Sequence, residues 1–150
     1  MLASAYAGWA GSLPADVVEA RVQQVLRQAD LPADEVVEEW LPTLVSSSVP
    51  ADVVAEVTAI MRDFHPAGLR AMARAFAEAD LRDVLPSVDV PTLLLYGDAD
   101  QRSPRQVAEE LHAAIPGSQL VWMHGVGHQS NLEAPDRFND EVRAFLRSVP

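Results

Sequence analysis

The chain contains no cysteine, so disulfides and thiolate metal sites are excluded. It also contains no lysine; all 11 basic residues are arginine. Against them stand 22 acidic residues, giving a formal charge of −11. No basic cluster offsets that excess, which argues against nucleic acid and against membrane surfaces as partners. No apolar run approaches the ~20 residues of a membrane span. The start, Met1-Leu2-Ala3-Ser4-Ala5-Tyr6-Ala7, ends in a small-x-small pattern. It has no positive region before it, since the first cation is Arg21, and Gly8 and Gly11 interrupt its apolar character, so export is not expected. The expected compartment is the cytoplasm.

The remaining composition is that of a soluble globular chain, with 49% hydrophobic and 22% charged residues. Its 150 residues correspond to one domain, large enough to bury most of its unfolded surface.

Two regions differ in pattern. The first is helical. Leu13-Pro14-Ala15-Asp16 opens a helix whose Val18, Val22, Val25, Leu26 and Ala29 share a face. Leu31-Pro32 stops it and starts another through Val36, Val37 and Trp40, expected to end near Pro42. The acidic residues Glu35, Glu38 and Glu39 read as its solvated face. Ser46-Ser47-Ser48 is a polar joint. Pro50 launches a third helix and Pro66 a fourth, each with proline in the first turn, where its missing donor costs nothing.

The second region alternates. Thr92-Leu93-Leu94-Leu95-Tyr96 is a continuous apolar run, the signature of a strand buried on both faces. Ser103-Pro104-Arg105-Gln106 reads as a capping box opening a helix to about Ile115. Gln119-Leu120-Val121-Trp122-Met123 is the next strand, and Pro135 opens the last helix, with Phe138, Val142, Phe145 and Leu146 on one face. Strand, helix, strand, helix predicts a βαβα unit with a right-handed crossover and two parallel strands.

Parallel strands send their C-terminal ends to one edge of the sheet, where open α/β sheets bind ligands. Asp100 lies four residues past Tyr96, and His128 five past Met123. Taken alone, Asp100 is a turn carboxylate and His128 a loop histidine. Taken together they have the composition of an acid–base pair. A carboxylate that accepts the imidazole Nδ1–H fixes the tautomer and leaves the other nitrogen as a base. A metal site built from Asp98, Asp100, His124 and His128 is the rival. His-x-x-x-His suits zinc on a helix, whereas this segment is glycine-rich loop. Arg102 and Arg105 read as solvated charges beside a helix start, with an acidic substrate as the alternative. Ser103 reads as a helix cap before it reads as a nucleophile. Trp9, Trp40 and Phe64 are candidates for a pocket wall or for packing.

The stretch Val90-Pro91-Thr92-Leu93-Leu94-Leu95-Tyr96-Gly97-Asp98-Ala99-Asp100 resembles the strand that delivers the acid in α/β-hydrolases. Gly125-Val126-Gly127-His128, followed by Asn131-Leu132-Glu133-Ala134-Pro135-Asp136-Arg137-Phe138, resembles their histidine loop and final helix. The likeness is nearest to small ester and lactone hydrolases of the 3-oxoadipate enol-lactonase kind. It implies an α/β fold: residues 1–65 as a helical cap and residues 66–150 as the C-terminal part of the core. It makes Asp100 the orienting acid and His128 the general base, and it implies hydrolysis of a small-molecule ester or lactone without organic cofactor or metal. Asp98 is the weaker candidate for the acid, because the family's acid stands three residues after the strand-ending glycine.

The family also needs a nucleophile on a Gly-x-Ser-x-Gly elbow. None of Ser4, Ser12, Ser46, Ser47, Ser48, Ser87, Ser103, Ser118, Ser130 and Ser148 lies in that motif. Gly8-Trp9-Ala10-Gly11-Ser12 imitates it without a preceding strand. By resemblance the chain starts near the end of the sixth strand of the fold, and alone it is expected to be inactive. Three arrangements follow: a piece of a longer hydrolase, one subunit of a split hydrolase, or a non-catalytic binding or dimerising module. A two-strand remnant leaves an edge and an apolar face uncovered, so self-association or pairing with a missing N-terminal half is expected. The substrate-binding residues are not legible.

Overall fold

Every residue of β2 (Leu93–Gly97) is buried. The computed structural model describes residues 1–149; Pro150, the last residue of the expected core portion, lies outside them. Side chains alternate across a strand, so β2 feeds two cores. Leu94 and Tyr96 pack on one side with Val107, Ala108, Leu111 and Ile115. Leu93 and Leu95 pack on the other with Met123, Val126 and Phe145. The covering helices are α5 (Arg105–Ala114) and α7 (Pro135–Ser148).

β3 (Gln119–Met123) lies beside β2 in parallel, with Leu93 opposite Gln119 and Gly97 opposite Met123. The expected βαβα unit is therefore present, and its strands are direct neighbours. The sheet also has a third strand. β1 (Leu2–Ala3) pairs in parallel with β2 on its other side, giving the order β1-β2-β3. A strand of two residues carries no periodic signal, and its partner lies some ninety positions away. Tyr96 secures the same edge: its buried phenol donates to the Ala5 carbonyl at 2.7 Å, and burial raises its pKa, keeping it a donor.

Four helices form the second layer: α1 (Ala15–Gln28), α2 (Ala33–Leu44), α3 (Ala51–Arg62) and α4 (Pro66–Glu78). α1 packs on α4 and α2 on α3. Their shared core includes Val25, Val37, Trp40, Met61, Leu69 and Ala73. The helical layer thus extends through α4, past residue 65, while residues 2 and 3 belong to the sheet. α2 also runs beyond its expected end. Pro42 sits in its last turn, and Val45 still donates to the Leu41 carbonyl at 3.3 Å.

One polar group in this core is fully satisfied. Trp40 Nε1 donates to buried Gln28 Oε1 at 2.6 Å, and Gln28 Nε2 donates to Glu39 Oε2 at 2.6 Å. Arg27 grips the same carboxylate with two hydrogen bonds of 3.0 and 2.8 Å. Arg27, then Gln28, hold the Glu39 pKa down to about 2. Glu39 is exposed, on the solvated face expected of it, and from there also joins α2 to α1.

The chain enters and leaves the helical layer at one crossing. Trp9 N–H donates to Phe76 O at 2.8 Å and Leu81 N–H to Ala7 O at 2.9 Å. Gly8 sits there with φ +76°, and a Cβ at that position would overlap the Ala79 carbonyl.

Gly97 makes the equivalent close approach at the end of β2. A Cβ on it would overlap the carbonyl oxygens of Val126 and Gly127 in the histidine loop. Gly97→Ala is expected to destabilise the fold by about 2–3 kcal/mol through forced displacement of that loop. Denaturant unfolding of the variant against the parent chain measures it, and an unchanged midpoint would refute the close contact.

Candidate active site

The turn after β2 is built by one carboxylate. Asp98 N–H extends the ladder to Met123 O at 3.1 Å, and Ala99 N–H reaches Val126 O at 3.1 Å. The chain then folds back, and Asp100 Oδ1 accepts from the amides of Arg102 at 2.7 Å and Ser103 at 2.9 Å. Its second oxygen, Oδ2, lies 2.9 Å from His128 Nδ1. The Asp100 side chain is 0% exposed. Burial pushes its pKa up, but the hydrogen bonds from His128 and from the Ser103 and Arg102 amides outweigh burial and hold it below the usual carboxylate value.

His128 is held from both ends. The side chain is 22% exposed, and its ring reaches the cavity. With Nδ1 facing the carboxylate, the neutral ring carries its proton there, and Nε2 has no protein partner among the described residues. Its carbonyl accepts from Ser4 Oγ at 3.4 Å, and Ser4 holds an uncommon positive φ of 46°. Gln129 N–H donates to Leu44 O at 3.0 Å, tying the loop to the end of α2.

Glu133, at the end of the short α6 (Ser130–Glu133), supplies a second tie that spacing did not reveal. Its Oε2 accepts from Ser46 N–H at 2.8 Å, across the joint between α2 and α3. Its Oε1 is buried without a partner beside Gly127, where a Cβ would overlap that oxygen and the backbone of Val45 and Ser46. The available signal was a lone carboxylate in Leu132-Glu133-Ala134-Pro135.

The four residues of the rival metal site separate into two pairs. His124 Nδ1 lies 2.6 Å from Asp98 Oδ2, and the His124 side chain is 94% exposed. Asp98, held low in pKa first by His124 and then by the Gly125 amide, is spent on this surface turn. Among the described residues no group of three or more His, Asp or Glu converges on a metal position.

Ser103 is not the expected helix cap. Pro104 occupies that position without a side-chain hydrogen bond. The Ser103 residue is 2% exposed; its hydroxyl donates to Ser4 O at 2.8 Å and lies 3.5 Å from His128 Nδ1. That nitrogen already faces Asp100, so Ser103 buttresses the pair and does not meet Nε2. Ser12 likewise plays a local part, accepting from Ala7 N–H at 2.9 Å.

A cavity of about 620 Å³ lies between the sheet edge and the helical layer. Trp9, Trp40, Phe64, Phe76 and Leu132 give it apolar walls, and His128 is exposed in it. Trp40 meets Phe64 edge-on at 6.2 Å, so the aromatics picked out in the sequence form wall and packing at once. Arg102 and Arg105, adjacent in sequence, part company. Arg105 is exposed, stacks 4.1 Å over Trp122 and pairs with Glu109 at 3.4 Å. Arg102 turns inward, with its guanidinium 4.7 Å from the Trp40 ring.

A three-stranded parallel sheet edge carrying an acid–histidine pair, beneath a helical layer, is the arrangement of one large class of hydrolytic folds. The family model described as TAP-like protein matches residues 67–149. The pimeloyl-acyl-carrier-protein methyl ester esterase of Neisseria meningitidis serogroup A is 34% identical over 84 residues, covering 56% of this chain and 27% of that protein. Its counterpart in Pectobacterium atrosepticum is 41% identical over 71 residues, covering 47% and 28%. Among solved structures, a thermophilic esterase from Thermogutta terrifontis superimposes with a TM-score of 0.78 at 29% identity, over 87% of this chain and 50% of that one. The enol-lactonase from Burkholderia xenovorans LB400 does so with 0.74 at 26%, over 84% and 49%. The chain belongs to the α/β-hydrolase superfamily. It spans under a third of these curated relatives and about half of the solved ones. No helix among the described residues is long and apolar enough to cross a membrane.

The lowered Asp100 pKa has a consequence for stability. The unfolded chain takes up this proton first as pH falls, so the contribution is present above about pH 4 and fades as pH drops through the folded value. Asp100→Asn is expected to cost about 2 kcal/mol at pH 7, the worth of a charge-assisted hydrogen bond. The difference from the parent chain should shrink below pH 4. Melting curves from pH 7 to pH 2 measure this, and a pH-independent difference would contradict the ionised Asp100 carboxylate.

Proposed function

We propose that this chain supplies the general base and its orienting acid to a hydrolase of small esters or lactones. The observation that carries the reading is the 2.9 Å contact between Asp100 and His128 Nδ1, with Nε2 free on the cavity side. The esterases and the enol-lactonase among its relatives support the substrate class.

Under this reading a nucleophile attacks the substrate carbonyl, and Nε2 of His128 takes its proton. Asp100 stabilises the imidazolium that forms, which then protonates the leaving oxygen. A water molecule then gives a proton to the same nitrogen and attacks the acyl carbon; the bond to the nucleophile breaks, the imidazolium returns the proton to it, and the acid leaves. The nucleophile and its oxyanion donors come from outside residues 1–149, on a longer polypeptide or on a second one. The native protein's intact mass separates these: a value near 16.3 kDa points to a separate partner, a larger one to a longer chain.

In the hydrolysis-competent native protein, His128→Ala is expected to lower turnover of p-nitrophenyl butyrate by about 10⁴-fold. Asp100→Asn should follow it by orders of magnitude. His124→Ala, which alters the exposed pair, should leave turnover within about twofold, as for a surface substitution. Normal turnover in the first two variants would defeat the reading.

The same reading expects association. β1 is a sheet edge, and Ile60, Phe64, Met72 and Phe76 are exposed apolar residues at the cavity rim. Sedimentation velocity of the chain alone should show species above 16.3 kDa. A single monomeric boundary at micromolar concentration would remove this expectation.

A further inference from the structure

Two arginines on the cavity wall have no carboxylate partner. Arg21 and Arg102 both line the cavity. Elsewhere Arg27, Arg62, Arg70, Arg82, Arg105 and Arg143 each pair with an acid, and the other three arginines, Arg74, Arg137 and Arg147, are exposed and off the cavity, in a chain that carries twice as many acids as bases. Asp100, close in sequence to Arg102, is committed to His128 and to two backbone amides.

The two side chains are fixed in place without being neutralised. Arg102 Nη1 donates to Thr43 Oγ1 at 3.1 Å, and its plane faces Trp40. Its Nε and Nη2 have no protein acceptor among the described residues. Arg21 donates from Nη1 to Tyr6 Oη at 3.1 Å and from Nη2 to the Arg102 carbonyl at 3.2 Å. Its guanidinium stands 5.8 Å from the rings of both Tyr6 and Trp9. The Tyr6 hydroxyl donates to that same carbonyl. Burial lowers the Arg102 pKa, and the like charge of Arg21 lowers it further. Aromatic faces attract a cation but leave its in-plane N–H donors unspent. Two neighbouring cations on an apolar wall are costly unless an anion joins them. A planar carboxylate matches the guanidinium fork.

We propose that Arg21 and Arg102 form an anion subsite that receives a carboxylate of the ligand, so that the cavity selects acids with an apolar chain over neutral compounds of the same shape. With the hydrolase reading, on which the word substrate depends, the substrates are esters or lactones that also carry a free carboxylate.

Direct binding to the chain tests the subsite without any turnover. Trp9 and Trp40 flank the two guanidiniums, so their fluorescence reports occupancy, with octanoate and methyl octanoate as probes. Octanoate should bind about tenfold or more tightly than methyl octanoate, the worth of one charge-assisted contact. Arg102→Met and Arg21→Met should each reduce that preference to about threefold or less. Circular dichroism checks that the variants fold; if one does not, the comparison of acid with ester on the unaltered chain still decides. Equal binding of acid and ester, no response to octanoate, or an undiminished preference in both folded variants would overturn the subsite. Preference for the acid together with loss of the His128 effect on turnover would remove the hydrolase reading and leave the subsite standing. Turnover that depends on His128, with no preference for the acid, would do the reverse.

Discussion

A carboxylate with no solvent exposure must be surrounded by donors or lose its charge, and Asp100 organises its surroundings on that condition. Three donors meet it: two amides of its own turn and one imidazole nitrogen. The amides force the chain to fold back directly after β2. The fold-back points the Arg102 side chain toward the cavity and leaves Ser103 beneath the histidine. The imidazole is the remaining donor, so the carboxylate fixes its tautomer and its direction together. Gly97 completes the constraint from below, since any larger residue would lift the histidine loop away from the acid. The stability of this turn and the orientation of the histidine therefore draw on the same few hydrogen bonds.

The parts legible in the sequence were those with a local signature. β2 and β3 announced themselves as apolar runs bounded by turn residues. Asp100 and His128 could be paired because parallel strands deliver their following loops to one edge. β1 was illegible because two residues have no period and its pairing is set by strand β2, far along the chain. Ser103 before proline looked like a cap, yet its amide was already claimed by Asp100 and its hydroxyl by Ser4. Glu39 is solvated as expected, but a helix read alone could not show its partners; Arg27 and Gln28 come from the neighbouring helix. Arg102 and Arg105 are indistinguishable in composition, and the turn at Asp100 together with distant Trp40 and Thr43 decides which one faces inward.

Charge is distributed unevenly relative to the total of −11. Most acids lie on outer helix faces, and six of the arginines are spent neutralising neighbouring acids. The cavity keeps two cations and a histidine, with no acid among its lining residues. A negative exterior repels anions at long range, but over distances beyond about 8–10 Å salt screens it. Within the apolar cavity screening is weak, so local cations outweigh the net charge there. Net charge alone is thus a poor guide to what this cavity attracts.

The helical layer and the histidine loop are not independent bodies. Gln129 bonds the end of α2, and Glu133 bonds the amide of Ser46 just beyond it. Both ties meet the α2–α3 joint, and α2 also carries Trp40 and Thr43, which hold Arg102. A shift of α2 therefore acts on the cavity wall and on the histidine loop in one motion. The unpartnered Oε1 of Glu133 shows how tightly this is drawn, since a buried oxygen without a donor is tolerated only where surrounding packing holds it. Here the helix that holds Arg102 at the cavity wall also ties down the histidine loop, so wall and histidine are linked through one backbone hydrogen bond and one amide–carboxylate hydrogen bond.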